Sequence, residues 1–276
     1  MEKENSFISV DDLVAMIGSG EMLAIPKDES GPAMAATRAL LRRGVRDIHL
    51  LCAPVCGLQA DLLVGAGCVR TVECGGIVIN EVGVGPRFRE AVRKGTIELR
   101  DSTCPAIHAG LQAGEKGQPF AAIRGLLGSD LLKVRKDWRV IDNPFGTGGD
   151  PVVLVPAITP DVFIFHAAWG DRFGNVWIAG RRDLAYVAHA SKRTLVTVEE
   201  IWDGNLLEDE RMGPGSLSSV YVTATAQVAH GAWPLSLQRR YPEDIEHIKE
   251  YAKLARTEEG FNEYMRKHVL NERLAA

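Results

Sequence analysis

The stretch 163–202 constrains the fold more than any other part of the chain: FIFHAAWGDRFGNVWIAGRRDLAYVAHASKRTLVTVEEIW. It opens in an apolar run, Val162-Phe163-Ile164-Phe165, of the kind that fills a strand buried on both faces. His166 closes that run. Turn chemistry follows at Gly170-Asp171 and Phe173-Gly174-Asn175. Val176-Trp177-Ile178 reads as a second short strand, and Asp183 is placed to cap a helix reaching Ala190. Leu195-Val196-Thr197-Val198 is a third strand, ending at the carboxylate pair Glu199-Glu200. Strand, turn, helix and strand in that order predict an α/β sheet. Ligands in such sheets gather at the carboxyl ends of strands, and His166, Asp171, Asn175 and Glu199-Glu200 all fall near such ends.

The same grammar runs through the rest of the chain. Ser9-Val10-Asp11-Asp12 is a helix start, with Leu13, Val14, Met16 and Ile17 as its apolar stripe. Met22-Leu23-Ala24-Ile25 is a strand leading into the polar loop 26–32. Pro32 suits a first helical position, which predicts a helix over 33–43 and then a strand over 48–52. This is a βαβ unit, right-handed in nearly all known cases. Its first loop, carrying Ser30 and Gly31, faces the ligand edge. Further strands are predicted at 69–72, 96–100, 119–124 and 152–155, with helices over 58–66, 86–94 and 104–114. From Pro242 onward the spacing is helical: Ile245, Ile248, Tyr251, Ala252 and Ala255, then Phe261, Tyr264, Met265 and Val269, parted by Gly260. The expectation is one domain over 1–276. It is an α/β fold with an open, mostly parallel sheet flanked by helices, and 242–276 forms a helical C-terminal extension.

Composition narrows the function. At 276 residues a chain can bury roughly 75% of its unfolded surface, so no metal or disulfide staple is required. A formal charge of -4 carries no basic footprint and argues against nucleic acid as a partner. The cysteines at 52, 56, 68, 74 and 104 are odd in number and include no CxxC pair. They read as reduced thiols in a cytoplasmic protein, not as a metal set. The opening MEKENSFISV lacks the apolar core of a signal peptide. No apolar run approaches the roughly 18 residues of a membrane span.

The candidate motifs each carry a plain alternative. Gly18-Ser19-Gly20 follows a helix, not a strand, which removes it from dinucleotide binding. No G-x-S-x-G occurs, so Ser30, Ser129 and Ser191 are not nucleophile elbows. Gly125-Leu126-Leu127-Gly128-Ser129 does follow a strand. Its N–H groups either hold a thioester oxygen, phosphate or carboxylate, with Gly128 and Ser129 as contacts, or simply turn the chain. Arg124 before it is either a carboxylate clamp or a surface ion-pair residue. His166 is either a satisfied core histidine or a pocket residue. Asp171 and Asn175 either build the turn or touch a ligand. Glu199 and Glu200 are adjacent on a strand and point to opposite faces, so they are not an acid/base dyad. Cys104 sits at a helix start, as a thiolate or an inert thiol.

Together these residues resemble the first (A) subunit of a family I coenzyme A transferase, closest to the glutaconate CoA-transferase type. Three stretches carry the likeness. One runs from Gly95-Thr96-Ile97-Glu98-Leu99 through Gly110-Leu111-Gln112-Ala113 and Pro119-Phe120 to Arg124 and Asp130. The second joins Phe165-His166-Ala167, Asp171 and Gly174-Asn175 to Val196-Thr197-Val198-Glu199-Glu200. The third is Gly231-Ala232-Trp233-Pro234 with Arg256-Thr257-Glu258-Glu259-Gly260-Phe261. The resemblance implies an open α/β fold shared with ribose-5-phosphate isomerase-like and glucosamine-6-phosphate deaminase-like proteins. It implies a homologous B subunit, in an A2B2 or larger assembly, that supplies the nucleophilic glutamate. It also implies a ping-pong exchange through an acyl-glutamyl anhydride and a glutamyl-CoA thioester. No cofactor is implied; the CoA thioester and a carboxylic acid are the substrates. Ser30, Gly31, Arg124, Gly128, Ser129 and His166 are then the expected substrate-binding residues. Where many such subunits carry a Gly-Gly-Phe-type loop after the first strand, this chain has Ala24-Ile25-Pro26-Lys27-Asp28-Glu29-Ser30-Gly31. A sister branch contains ring-opening hydrolases that rely on an acid in the segment matching 100–105. Asp101 is the sole carboxylate there, which weighs toward a transferase.

Overall fold

A computed structural model of the protein describes residues 7–80 and 82–271. The start of the N-terminal segment and the last residues of the expected extension, 272–276, lie outside the described residues.

Uninterrupted apolar strands demand cover on both faces, and they receive it. A nine-stranded sheet runs through the molecule. Its parallel body lies in the order Ala224–Gln227, Arg193–Trp202, Val162–Asp171, Met22–Pro26, Ile48–Ala53, Val69–Cys74 and Glu98–Asp101. Val176–Trp177 and Ser216–Leu217 extend it as short antiparallel strands. The period-two alternation of strand side chains sorts neighbours into two cores. Leu23 and Ile25 join Leu13, Ala36, Leu40 and Leu63 on one face. Ala24, Phe163 and Phe165 join Ile107, Leu111, Leu184 and Val187 on the other. Each fully buried Leu or Phe contributes about 1.5–3 kcal/mol relative to exposure.

Local chemistry starts and stops the helices. The Ser9 and Thr103 side chains accept the N–H groups of Asp12 and Ala106 at the starts of Val10–Ala15 and Cys104–Glu115. Gly44 and Gly95 end Met34–Arg43 and Pro86–Lys94 in the left-handed conformation that glycine adopts without strain. The tail folds back onto the body. Ile245–Leu254, Glu258–Met265 and a π-helical turn, Arg266–Leu270, pack Ile248, Tyr251, Phe261 and Tyr264 against Leu58 and Leu62.

Several boundaries differ from the sequence reading. The strand expected to end at His166 continues to Asp171, because Arg193–Trp202 pairs with it along its length. His166 therefore sits mid-strand. The helix expected from Ala33 begins at Met34. The helix expected to be capped by Asp183 begins at Arg182 without a side-chain cap, because the Asp183 carboxylate accepts the Ser30 hydroxyl instead. The strands near 120, 140 and 153 leave the main sheet. Phe120–Ile123, Pro151–Pro156 and Arg139–Asp142 form a separate antiparallel sheet over Ala106, Leu126, Trp138, Val153 and Val155.

Candidate active site at the carboxyl end of the central strand

The strand Val162–Asp171 outruns its neighbour. Met22–Pro26 pairs with it only at Leu23 and Ala24, after which the loop 27–33 swings away and returns. On its return the Gly31 carbonyl accepts the His166 N–H at 2.7 Å. The approach is so close that a Cβ on Gly31 would lie 2.1 Å from the His166 carbonyl oxygen, and φ there is +76°. Only glycine fits. The same fold-back buries Ser30, whose Oγ donates to Asp183 at 3.2 Å.

The His166 ring has no exposed surface. Its Nε2 lies 3.1 Å from Glu199 Oε1 and its Nδ1 2.8 Å from Thr197 Oγ1. Gly231 closes the other side; a Cβ there would come within 2.3 Å of the ring. Glu199 also accepts the Tyr241 hydroxyl at 2.6 Å and the N–H groups of His230 and Gly231 at 2.8 and 3.1 Å. Burial alone would raise the Glu199 pKa. The hydrogen bonds from His166, Tyr241 and His230 outweigh it and hold the carboxyl at about 2. Burial pushes the His166 pKa down, so the ring is neutral at pH 7. An ionised Glu199 only accepts. The proton therefore sits on Nε2, and Nδ1 accepts from Thr197.

Above this cluster lies a small cleft. Its walls are apolar at Trp177, Ile178, Leu184 and Leu237, and its polar groups include Ser30, Glu29 and Arg181. The Arg181 guanidinium is anchored on the neutral Glu29 carbonyl. An apolar slot with a few convergent polar groups is the usual form of a small-molecule site.

The residues expected at the site separate into two groups. Ser30, Gly31 and His166 meet at this cleft. Arg124, Gly128 and Ser129 sit instead beside the small antiparallel sheet. Arg124 forms a two-pronged pair with Asp150 at 2.7–3.1 Å. The Leu127 and Ser129 N–H groups are taken up by the Arg124 and Leu126 carbonyls, and Ser129 Oγ donates to Leu126 at 2.8 Å. Asp101 ends the strand Glu98–Asp101, exposed, with its Oδ1 turned onto the Ser102 N–H at 3.0 Å. Beside it Glu73 is buried against Arg135 at 2.8 Å, and both line a second cavity. Asp171 and Asn175 build the turn: Asp171 Oδ1 accepts the Phe173 and Asn175 N–H groups. Glu199 is buried while Glu200 faces out to Arg240. Sequence reasoning missed Arg181 and Tyr241. The Gly180-Arg181-Arg182 run was the only signal for the first, and nothing local pointed to the second.

Residues 7–221 match the family described as Coenzyme A transferase. The chain is 32% identical to the A subunit of 3-oxoadipate CoA-transferase from Pseudomonas knackmussii, over 97% of this chain and 91% of that one. It is 28% identical to the cholesterol ring-cleaving hydrolase IpdA subunit of Rhodococcus jostii, over 96% and 92%. The backbone superposes on the crystal structure of glutaconate coenzyme A-transferase from Acidaminococcus fermentans with a TM-score of 0.85, at 27% identity, covering 96% of this chain and 89% of that one. With a family match over residues 7–221, the chain belongs to the Coenzyme A transferase family.

Proposed function

We propose that this chain, a single subunit domain over 1–276 with 242–276 as its helical extension, is the A subunit of a heteromeric CoA-transferase. It moves CoA between an acyl-CoA and a carboxylic acid in the cytoplasm. The likeness over nearly the whole length to the corresponding subunit of 3-oxoadipate CoA-transferase supports the reading. The observation that carries it is the commitment of the local acids. Glu199 is saturated by its donors, Asp183 holds Ser30, and Glu29 accepts from Asn80. We assign the attacking carboxylate to a B subunit seated over the cleft, in an A2B2 or larger assembly. That glutamate attacks the thioester carbonyl and expels CoA thiolate, which returns to the anhydride to give glutamyl-CoA and free acid. The acceptor acid reverses the sequence. Here Ser30, Gly31 and the His166 strand form the acyl wall, and Arg181 clamps a substrate carboxylate in the apolar slot. The loop of Arg124, Gly128 and Ser129 serves the CoA side, away from that slot.

Co-expression with a B-type partner tests this. The complex is expected to exchange CoA between an acyl-CoA and an acid, and borohydride is expected to trap a modified glutamate on the partner. Arg181→Ala is expected to raise the KM for the acid at least about tenfold, as loss of a charge-assisted contact does. Absence of both exchange and trapping would overturn the reading. The hydrolase relative favours one alternative, a ring-opening CoA-thioester hydrolase. Its signature is acid release without an acceptor, abolished by Asp101→Asn.

A further inference from the structure

The packed tail brings together residues with no part in the cleft. His247 and Glu250 stand one turn apart on Ile245–Leu254, and His268 reaches them from the turn Arg266–Leu270. One ring nitrogen from each histidine and one Glu250 oxygen lie within 4.8 Å of one another. Among the described residues, His268 Nε2 is buried without a hydrogen-bond partner, 3.6 Å from Glu250 Oε1. The two imidazoles stack edge-on at 4.6 Å. The Tyr264 hydroxyl lies 2.8 Å from His247 Nε2. A π-helical turn is rare, and where one occurs it frequently re-aims a side chain at a functional site. Here the side chain it aims is His268.

From this geometry we propose that His247, Glu250 and His268 bind a zinc ion that ties the C-terminal turn to Ile245–Leu254. Two imidazoles and a carboxylate are a common zinc set, with water in the fourth position. Tetrahedral bonds of about 2.0–2.2 Å place donors about 3.3–3.6 Å apart, so the His268–Glu250 spacing already suits the ion and His247 closes by a small ring rotation. Both rings have to be neutral to ligate. The competing cation is Lys267, whose Nζ donates to Glu250 Oε1 at 2.6 Å. It is on the surface and swings to solvent when the ion enters.

The test uses the full chain, zinc chloride and cobalt chloride. One equivalent of zinc is expected to bind in calorimetry and to raise the melting temperature, and cobalt is expected to give the visible absorption of a tetrahedral site. His268→Ala and Glu250→Gln are each expected to weaken zinc binding more than about tenfold. Glu250 is partly exposed, so its variant keeps the test open if His268→Ala misfolds. Lys267→Ala is expected to tighten binding. The inference is overturned if wild type takes up no zinc, or if Glu250→Gln binds it as wild type does. These readouts are independent of CoA transfer, so failure here leaves the proposed activity standing.

Discussion

At the scale of single residues, the site depends on two glycines that press on His166. Gly31→Ala adds a Cβ 2.1 Å from the His166 carbonyl at a positive φ. Gly44 has φ +77° with nothing within 4 Å, so Gly44→Ala suffers the left-handed strain alone, about 1–2 kcal/mol. Gly31→Ala is expected to lose a further 1–3 kcal/mol or so through overpacking. Urea midpoints of the two variants side by side check the difference, and equal losses would refute the close-packed loop. Glu199 sets a pH dependence. Its folded pKa of about 2 lies below the ordinary 4.5, so its stabilisation is present above pH 4.5 and lost as pH falls toward 2. Linkage puts that at about 3 kcal/mol at neutral pH. Glu199→Gln is expected to destabilise by that order at pH 7, with the gap to wild type closing in acid. That Glu199 and Glu200 would part to opposite faces was legible, because strand side chains alternate. Which of them turned inward was not, because that depended on the 230–241 segment arriving above the sheet.

At the scale of elements, the loop after the first strand does more than face a ligand. Asp28 is buried, and its carboxylate accepts the N–H groups of Gly57 and Leu58 at 3.1 and 2.9 Å, capping Leu58–Gly65. Burial outweighs those bonds and lifts its pKa from 3.8 to about 7. The folded state thus holds this proton more tightly than the unfolded chain does, and stability falls as pH rises between those values. Asp28→Asn keeps a carbonyl oxygen for the cap and removes the titration. Its stability is expected to be flatter than wild type between about pH 4 and about pH 7, measured by denaturant melts across that range. A parallel slope in both proteins would show that Asp28 is not the source. Element type was readable wherever an apolar run or stripe was long. Pairing was not: the runs near 120, 140 and 153 look like the central strands locally, yet they form their own antiparallel sheet. Alternation tells which face is buried, not which strand lies alongside.

At the scale of the whole molecule, the small sheet and its loops expose apolar side chains: Phe145 is 96% exposed, Val134 65% and Val140 51%. Such surfaces mark interaction sites. Phe145→Asp combined with Val140→Asp is expected to weaken association with the B subunit by about tenfold or more, as loss of buried anchors does. Analytical ultracentrifugation reads that change, while the chain's own melting temperature holds. Unchanged association would place the interface elsewhere. Among the described residues no helix is long and apolar enough to cross a membrane.

The amino-acid order alone determined the class of fold and the family. Apolar runs such as Val162-Phe163-Ile164-Phe165 are stable only under cover on both faces, and stripes such as Ile245, Ile248 and Tyr251 only as helices against a body. Tertiary structure alone decided which polar groups met. Tyr241 reaches Glu199 across 42 positions and Ser30 reaches Asp183 across 153. Contacts over such separations arise only when loops fold back over strand ends, and no local periodicity encodes that return.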